Sequence, residues 1–366
     1  MAAAAGRWAW ATAAATVGGM VVAAVLAPPP AAGPDAGLAW VLFVGSSVHV
    51  AATGWLWTVP AIRGYAASRP GRYRWVPAAL VAGTAAVAAV LSPAAMAWVL
   101  LAYFGWQLVH FWRQNLGLAA LAATAHGVAS PTAAERRALQ AAGGLGTLAV
   151  LARPGLLQLS VPAAPWPLFA LAAAGFAAAV GRGLWLVRRR PAGQRPAPFV
   201  VLYGVALLFF VPVFLTPSPY AAVGGLTVAH GLQYLLLVGL VAGGEPGDPT
   251  RRLVAVAGLA VVALGGGVAL AAASHLHGAP PPLRLVFGAY LGVAMAHFVV
   301  DGGLWRLRDR FPRAFLHGRL PWLVPVPPVR SDPIRAGLPA AAPGLPAAVA
   351  DPPAVVRPPI DRQPVQ

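Results

Sequence analysis

The chain contains no cysteine and no lysine. Without thiols there are no disulfides, no thiolate metal sites, no cysteine-ligated iron–sulfur clusters and no cysteine nucleophile. Acidic residues are scarce too: nine Asp and Glu stand against 26 basic residues, all of them arginine. Charged residues fill 10% of the 366 positions and hydrophobic ones 59%, whereas a soluble domain carries roughly a quarter charged. So little charge cannot clothe a globule of this size, and several apolar runs exceed the roughly 18 residues that mark a membrane span. The formal net charge of +17 does not read as nucleic-acid binding. The arginines sit between apolar runs rather than along one face, which is how membrane topology uses positive charge. No Walker motif, nucleophile elbow or dinucleotide fingerprint is present.

What is there reads as an all-α, polytopic transmembrane helical bundle of about ten spans: 8–27, 37–59, 75–92, 94–113, 138–153, 165–187, 197–217, 219–242, 252–274 and 283–304. The fifth is the weakest, because Arg153-Pro154 interrupts it. The arginines test the count. Arg63, Arg69, Arg72 and Arg74 follow the second span; Arg113, Arg136 and Arg137 the fourth; Arg188, Arg189, Arg190 and Arg195 the sixth. Arg251 and Arg252 follow the eighth, and Arg306, Arg308, Arg310 and Arg313 the tenth, while the intervening loops hold only Arg153 and Arg284. This alternation places both termini in the cytoplasm, in a bacterial cytoplasmic membrane. The N-terminal apolar run is long for a signal peptide and reads as a retained first helix. The transmembrane domain covers 1–310. Residues 311–323, with Phe315, Leu316, Trp322 and several arginines, are expected along the membrane surface, and the Pro/Ala-rich stretch 324–366 as a disordered cytoplasmic tail. No strong internal repeat is visible.

Ionisable groups inside membrane spans are costly and mark function by default. Four histidines meet that description: His49, His110, His230 and His297, each on a different span and each on a span of even number. They lie about 12, 16, 11 and 14 residues from the predicted outer ends, roughly 17 to 24 Å deep at the helical rise, so they share one layer. Each has a polar residue one turn further in, on the same helix face: Thr53, Gln114, Gln233 and Asp301. Four imidazoles at one depth suit a buried metal site, with neutral histidine the commonest ligand and a carboxylate fixing a ring tautomer or completing the ligand set. Asp301 is the residue for that role and the catalytic candidate. Gln114, Gln233 and Thr53 would support the rings from behind. A histidine and carboxylate set without thiolate suits non-haem iron, with zinc, copper or manganese as other occupants.

The plainer readings stand beside this one. A membrane histidine can be only a hydrogen-bonding link between helices. Asp301 can pair with Arg306 or Arg308, Gln114 and Gln233 can be packing amides, and Thr53 can bond its own backbone. His275 and His277 sit in a predicted outer loop, and His126 and His317 also read as loop residues. Gly265-Gly266-Gly267 falls inside a span and reads as a close-packing or kink site. The tryptophans read mostly as interfacial belt.

The stretches His297-Phe298-Val299-Val300-Asp301 and His110-Phe111 with Gln114 resemble motifs of the Brp/Blh family of membrane β-carotene dioxygenases. The resemblance implies a bundle of membrane helices with iron-binding histidines dispersed over several spans, and it makes His49 and His230 ligands from other helices. This chain departs from the family at Val48-His49-Val50, where the family has Pro-His-Gly, and at His230 with Gln233, where it has paired histidines. The match covers four short motifs and implies a membrane metal-dependent oxygenase rather than carotene as substrate.

Two function classes beyond the oxygenase remain open from sequence. Histidines on separate helices can be axial ligands of haem b in a protein moving electrons to or from quinone. Histidines with Asp301 can also relay protons or bind an ion in a transporter. A structural subunit is the remaining reading. The leading expectation is a metal-dependent oxidoreductase, a non-haem iron oxygenase acting on a lipophilic small molecule within the bilayer.

Overall fold

Helix starts are written in short polar residues followed by proline. Asp35 accepts a hydrogen bond from Leu38 N at 2.7 Å, and Asp248 from Arg251 N at 2.8 Å. Ser92 and Asp248 precede Pro93 and Pro249, whose missing N–H groups cost nothing at the first helical position. Thr132 and Glu135 form a reciprocal capping box. The computed structural model describes residues 1–29 and 33–325, and among these every regular element is helical.

The main elements are α1 (Ala2–Val25), α2 (Ala36–Thr58), α3 (Pro60–Ala67), α4 (Gly71–Val90), α5 (Pro93–Ala125), α6 (Ala133–Ala152) and α7 (Trp166–Arg188). They continue with α8 (Ala197–Leu207), α9 (Val211–Leu215), α10 (Tyr220–Gly243), α11 (Pro249–Ser274), α12 (Pro281–Leu304) and α13 (Arg310–Arg319). Among the described residues, eight helices are long and apolar enough to cross a membrane: α1, α2, α4, α5, α7, α10, α11 and α12. The chain is an integral, multi-pass membrane protein.

The ten expected spans all fall on helix, but two fall short of that standard. The fifth is α6, whose first turn carries Glu135, Arg136 and Arg137. The seventh is broken into α8 and α9. Pro212 cannot donate to a continuing helical ladder, so it sits in the first turn of a new helix instead.

Helix α10 is the axis of the bundle, with 72% of its most apolar window buried against 17% for α11. Helix α1 packs along α10, α2 along α11, α4 along α12, and α6 between α5 and α7. Small residues set the closest approaches, as expected where backbones rather than bulky side chains meet. On α12, a methyl at Gly288 would come within 2.7 Å of Ala85 Cα, and one at Gly292 within 2.6 Å of the Thr84 hydroxyl. Thr84 in turn donates to the Gly288 carbonyl at 2.7 Å. Gly267 abuts Val48, and Gly266 abuts Ala51, so the triple glycine of α11 is a close-packing site beside His49.

A second polar anchor ties the loops at one end of α5–α8. The Arg190 guanidinium binds both carboxylate oxygens of Glu135 at 2.6 Å and the carbonyls of Ala129 and Ser130. Both partners are buried.

The segment 311–323 is largely helix α13, but its apolar side does not face outward. Leu316, Leu320 and Leu323 are buried in the main core, and Phe311 stacks on Tyr65 with centroids 4.1 Å apart. Arg319 donates to the Val241 carbonyl and pairs with Glu245. Val324, the first residue of the expected tail, is buried and its carbonyl bonds His317. The rest of that tail, 326–366, lies outside the described residues.

Candidate metal centre

Each of the four histidines enters from its own helix: His49 from α2, His110 from α5, His230 from α10 and His297 from α12. Two local features aim the first and third. Five residues of α2, Val44–Val48, wind as a π turn immediately before His49, a feature concentrated at functional sites. Gly45 and Gly231 then let α2 and α10 touch backbone to backbone. A Cβ on Gly231 would strike the Gly45 carbonyl, and one on Gly45 would lie 2.5 Å from Val228 Cα. This close crossing brings the His49 and His230 ring centroids to 5.0 Å.

The other neighbours complete a closed ring of four. Centroids are 4.9 Å apart for His230 and His110, 5.2 Å for His110 and His297, and 5.1 Å for His297 and His49. All four side chains are buried, His230 at 0% exposure and His110, the most open, at 8%. Phe111 stacks on the His230 face at 4.2 Å and Phe298 on the His110 face at 4.6 Å.

The ring nitrogens are the unusual part. Both nitrogens of His49, both of His230, and Nε2 of His110 and of His297 lie buried with no hydrogen-bond partner. Buried polar atoms are nearly always paired, because an unmet donor or acceptor costs about 1–3 kcal/mol. Each ring can turn only one nitrogen to an ion, so four of these six atoms, one per imidazole, fit a cation. The donors fall into two overlapping sets, each with its atoms within 4.8 Å of one another: His49, His230 and His297, and His110, His297 and Asp301. His297 belongs to both. The four imidazoles thus converge as the sequence leads one to expect, but His110 stands with Asp301 rather than in one undivided set.

Asp301, four residues after His297 on the same face of α12, turns its Oδ2 toward the rings. It lies 3.6 Å from His297 Nε2 and 4.0 Å from His110 Nε2. Its Oδ1 accepts from the Tyr234 hydroxyl at 3.1 Å and from the Trp305 indole at 3.3 Å. It does not pair with the arginines beyond it: Arg306 bonds the Gly302 carbonyl and Arg308 neighbours Asp309.

Proton counting assigns the tautomer of His297. With Asp301 as the carboxylate, Tyr234 spends its one hydroxyl proton on it, so Thr53, 2.8 Å away, donates to the Tyr234 oxygen. Thr53 has then no proton left for His297 Nδ1, 2.6 Å from its oxygen. Nδ1 therefore carries the hydrogen and donates, which leaves the Nε2 lone pair facing the cluster. The chain His297–Thr53–Tyr234–Asp301 crosses three helices.

Of the three residues expected to support the rings, Thr53 reaches one and the two glutamines do not. Thr53 bonds side chains of α10 and α12 rather than its own backbone. Gln114 and Gln233 do not reach an imidazole nitrogen. Gln114 donates to the His230 carbonyl at 3.2 Å and to Gln233 at 2.9 Å, and Gln233 donates to Thr16 and Asn115. They form an amide seam behind His230 that joins α1, α5 and α10. Tyr234 and Trp305 are the residues sequence reasoning missed. Both follow a site residue by four positions, which is the signal that marks them. His275 and His277 are exposed at the end of α11 and belong to neither donor set. Comparison with family models, curated proteins and solved structures gives no match for this chain.

Proposed function

We propose that the chain is a membrane-embedded, metal-dependent oxidoreductase, a non-haem iron oxygenase acting on a lipophilic molecule in a bacterial cytoplasmic membrane. The arginine alternation puts the loops after α2, α10 and α12 on the cytoplasmic side. The observation that carries the reading is the set of six buried, unpartnered ring nitrogens on four converging imidazoles. An all-nitrogen and carboxylate donor set without thiolate suits iron, with zinc, copper or manganese as competitors. When bound, iron would supply redox chemistry toward dioxygen.

The chain's own residues do the rest. His49, His230 and His297 would hold the ion as one donor set, and His110 and Asp301 share His297 with it in the second. Thr53 keeps the His297 proton on Nδ1, and Tyr234 and Trp305 hold Asp301 by Oδ1 so that Oδ2 faces the rings. Phe111 and Phe298 cover ring faces and keep water out. That same packing favours a bare ion over haem b, because the rings meet edge to face at about 5 Å centroid separation and leave no slot for a macrocycle between them.

Elemental analysis of detergent-purified protein, with a visible spectrum, tests the proposal. Near-stoichiometric iron without a Soret band is expected. Absence of iron, copper, zinc and manganese alike ends the metalloenzyme reading, and a Soret band replaces it with the haem one.

A further inference from the structure

A groove of about 550 Å³ runs along the outside of the imidazole cluster. Its floor is the seam between α2 and α12, and α4 and α11 wall it on either side. It follows α2 from Val50 to Trp57, α12 from Val293 to Val300, and α11 from Leu270 back to Val262. It therefore lies parallel to the helices, over eight residues or about 12 Å of rise. Every lining residue belongs to a membrane-spanning helix, and the rim residues Gly54, Ala269 and Val293 are exposed. In a bilayer such a mouth opens to hydrocarbon.

The lining is apolar apart from few groups, and these are not scattered. Thr53 and His297 lie on the floor, joined by their 2.6 Å hydrogen bond. Trp57 and Tyr73 sit at one end, the end where the arginines gather. There Arg72 fastens to the Val299 carbonyl at 3.1 Å, beside the lining residue Val300, and Arg74 is exposed one residue past Tyr73. Small side chains at Ala51, Gly54, Gly266 and Ala296 line the middle of the groove. A long apolar slot with two arginines at its interfacial end is complementary to one kind of molecule: a hydrocarbon chain with an anionic head.

We infer that the groove binds a long-chain fatty acid, or a lipid presenting the same chemistry, with its chain along the α2–α12 seam and its carboxylate toward Arg72 and Arg74. The chain passes the Thr53–His297 pair on the far side of which the imidazoles meet. That the bound lipid is also the substrate rests on the metal-centre reading above; its binding does not.

The test is photolabelling of the purified full-length protein with a long-chain fatty acid bearing a mid-chain diazirine, followed by mapping of the labelled peptides. Labels are expected on α2 between Val50 and Trp57 and on α12 between Val293 and Val300. Ala296→Phe fills the floor and Ala269→Trp fills the rim from another helix. Each is expected to cut groove labelling several-fold, whereas Leu264→Trp on the exposed face of α11 leaves it unchanged. Unlabelled fatty acid should compete better than its methyl ester, and Arg74→Gln should erase that preference. Labels spread over all outward helix faces and undiminished in both filling variants would overturn the site. Equal competition by the ester would overturn the anionic head and leave a neutral lipid. Metal content on the same preparations separates the two ideas: labelling without metal removes only the metal reading, and metal without labelling removes only the groove.

Discussion

The Thr53 hydroxyl lies 2.6 Å from Nδ1 of His297, across the boundary between α2 and α12. Through it a side chain on one helix decides which nitrogen on another offers its lone pair. The same hydroxyl bonds Tyr234 at 2.8 Å, so a single oxygen coordinates three of the helices that build the site.

Replacing this hydroxyl tests its role directly. Thr53→Val keeps the shape and removes the acceptor, and metal affinity should fall about 10- to 100-fold, the usual cost of losing a partner behind a ligating histidine. Thr53→Ser should restore it. Chelator competition reads both, and a valine variant that binds metal as tightly as the parent would dismiss the orienting role.

His297 is common to both donor sets, and its loss should be the most damaging single change. His297→Ala is expected to leave no stoichiometric metal, while His110→Ala, which spares the set formed by His49, His230 and His297, should retain a measurable fraction. Metal per chain measured on monodisperse protein decides the order; equal retention in the two variants would show that the sets do not act as drawn.

The backbone contact between Gly45 and Gly231 leaves no room for a methyl. Gly231→Ala should destabilise the protein by about 1–3 kcal/mol or more, the range for overpacking, and push His49 and His230 apart. Gly239, on the same helix but with nothing within 4 Å of its added Cβ, provides the control, since Gly239→Ala should leave the unfolding temperature unchanged or raise it. Thermal unfolding in detergent compares the pair.

The Glu135–Arg190 pair is buried and far from the imidazoles along the chain. Glu135→Gln leaves an uncompensated buried guanidinium and should cost about 3–5 kcal/mol. The unfolding temperature should drop while metal content per folded chain holds. A coupled loss of metal would show that the α5–α8 loops help to shape the site.

Much of this was legible from residue order alone, and for physical reasons. A histidine in an apolar run needs a reason to be there, and four of them at one depth already define a layer. The arginine loops set an expectation for which helices run in the same direction. What residue order does not carry is the rotation of one helix against another. The one-turn rule admits both Gln233, three residues after His230, and Tyr234, four residues after it, since both lie on nearly the same face. Only packing decides that the tyrosine looks toward Asp301 and the amide toward Thr16. Thr53 is a similar case, because a threonine in a helix ordinarily bonds its own preceding carbonyl and nothing local says that an imidazole from 244 residues away will take its place. The break between α8 and α9 was within reach, since Pro212 announces it.

The π turn at Val44–Val48 bears on how this sequence can drift. Such a turn is a one-residue surplus in an otherwise regular helix. Deleting one of its five positions would let the ladder close as ordinary α-helix with the flanking turns nearly in register, since five residues on the wider π pitch sweep about the same angle as four at about 100° each. Such a deletion would leave a continuous helix and remove only the widened turn beside His49, while within the turn Gly45 abuts Val228 of α10 and Val48 abuts Gly267 of α11, so side-chain size is constrained at both positions.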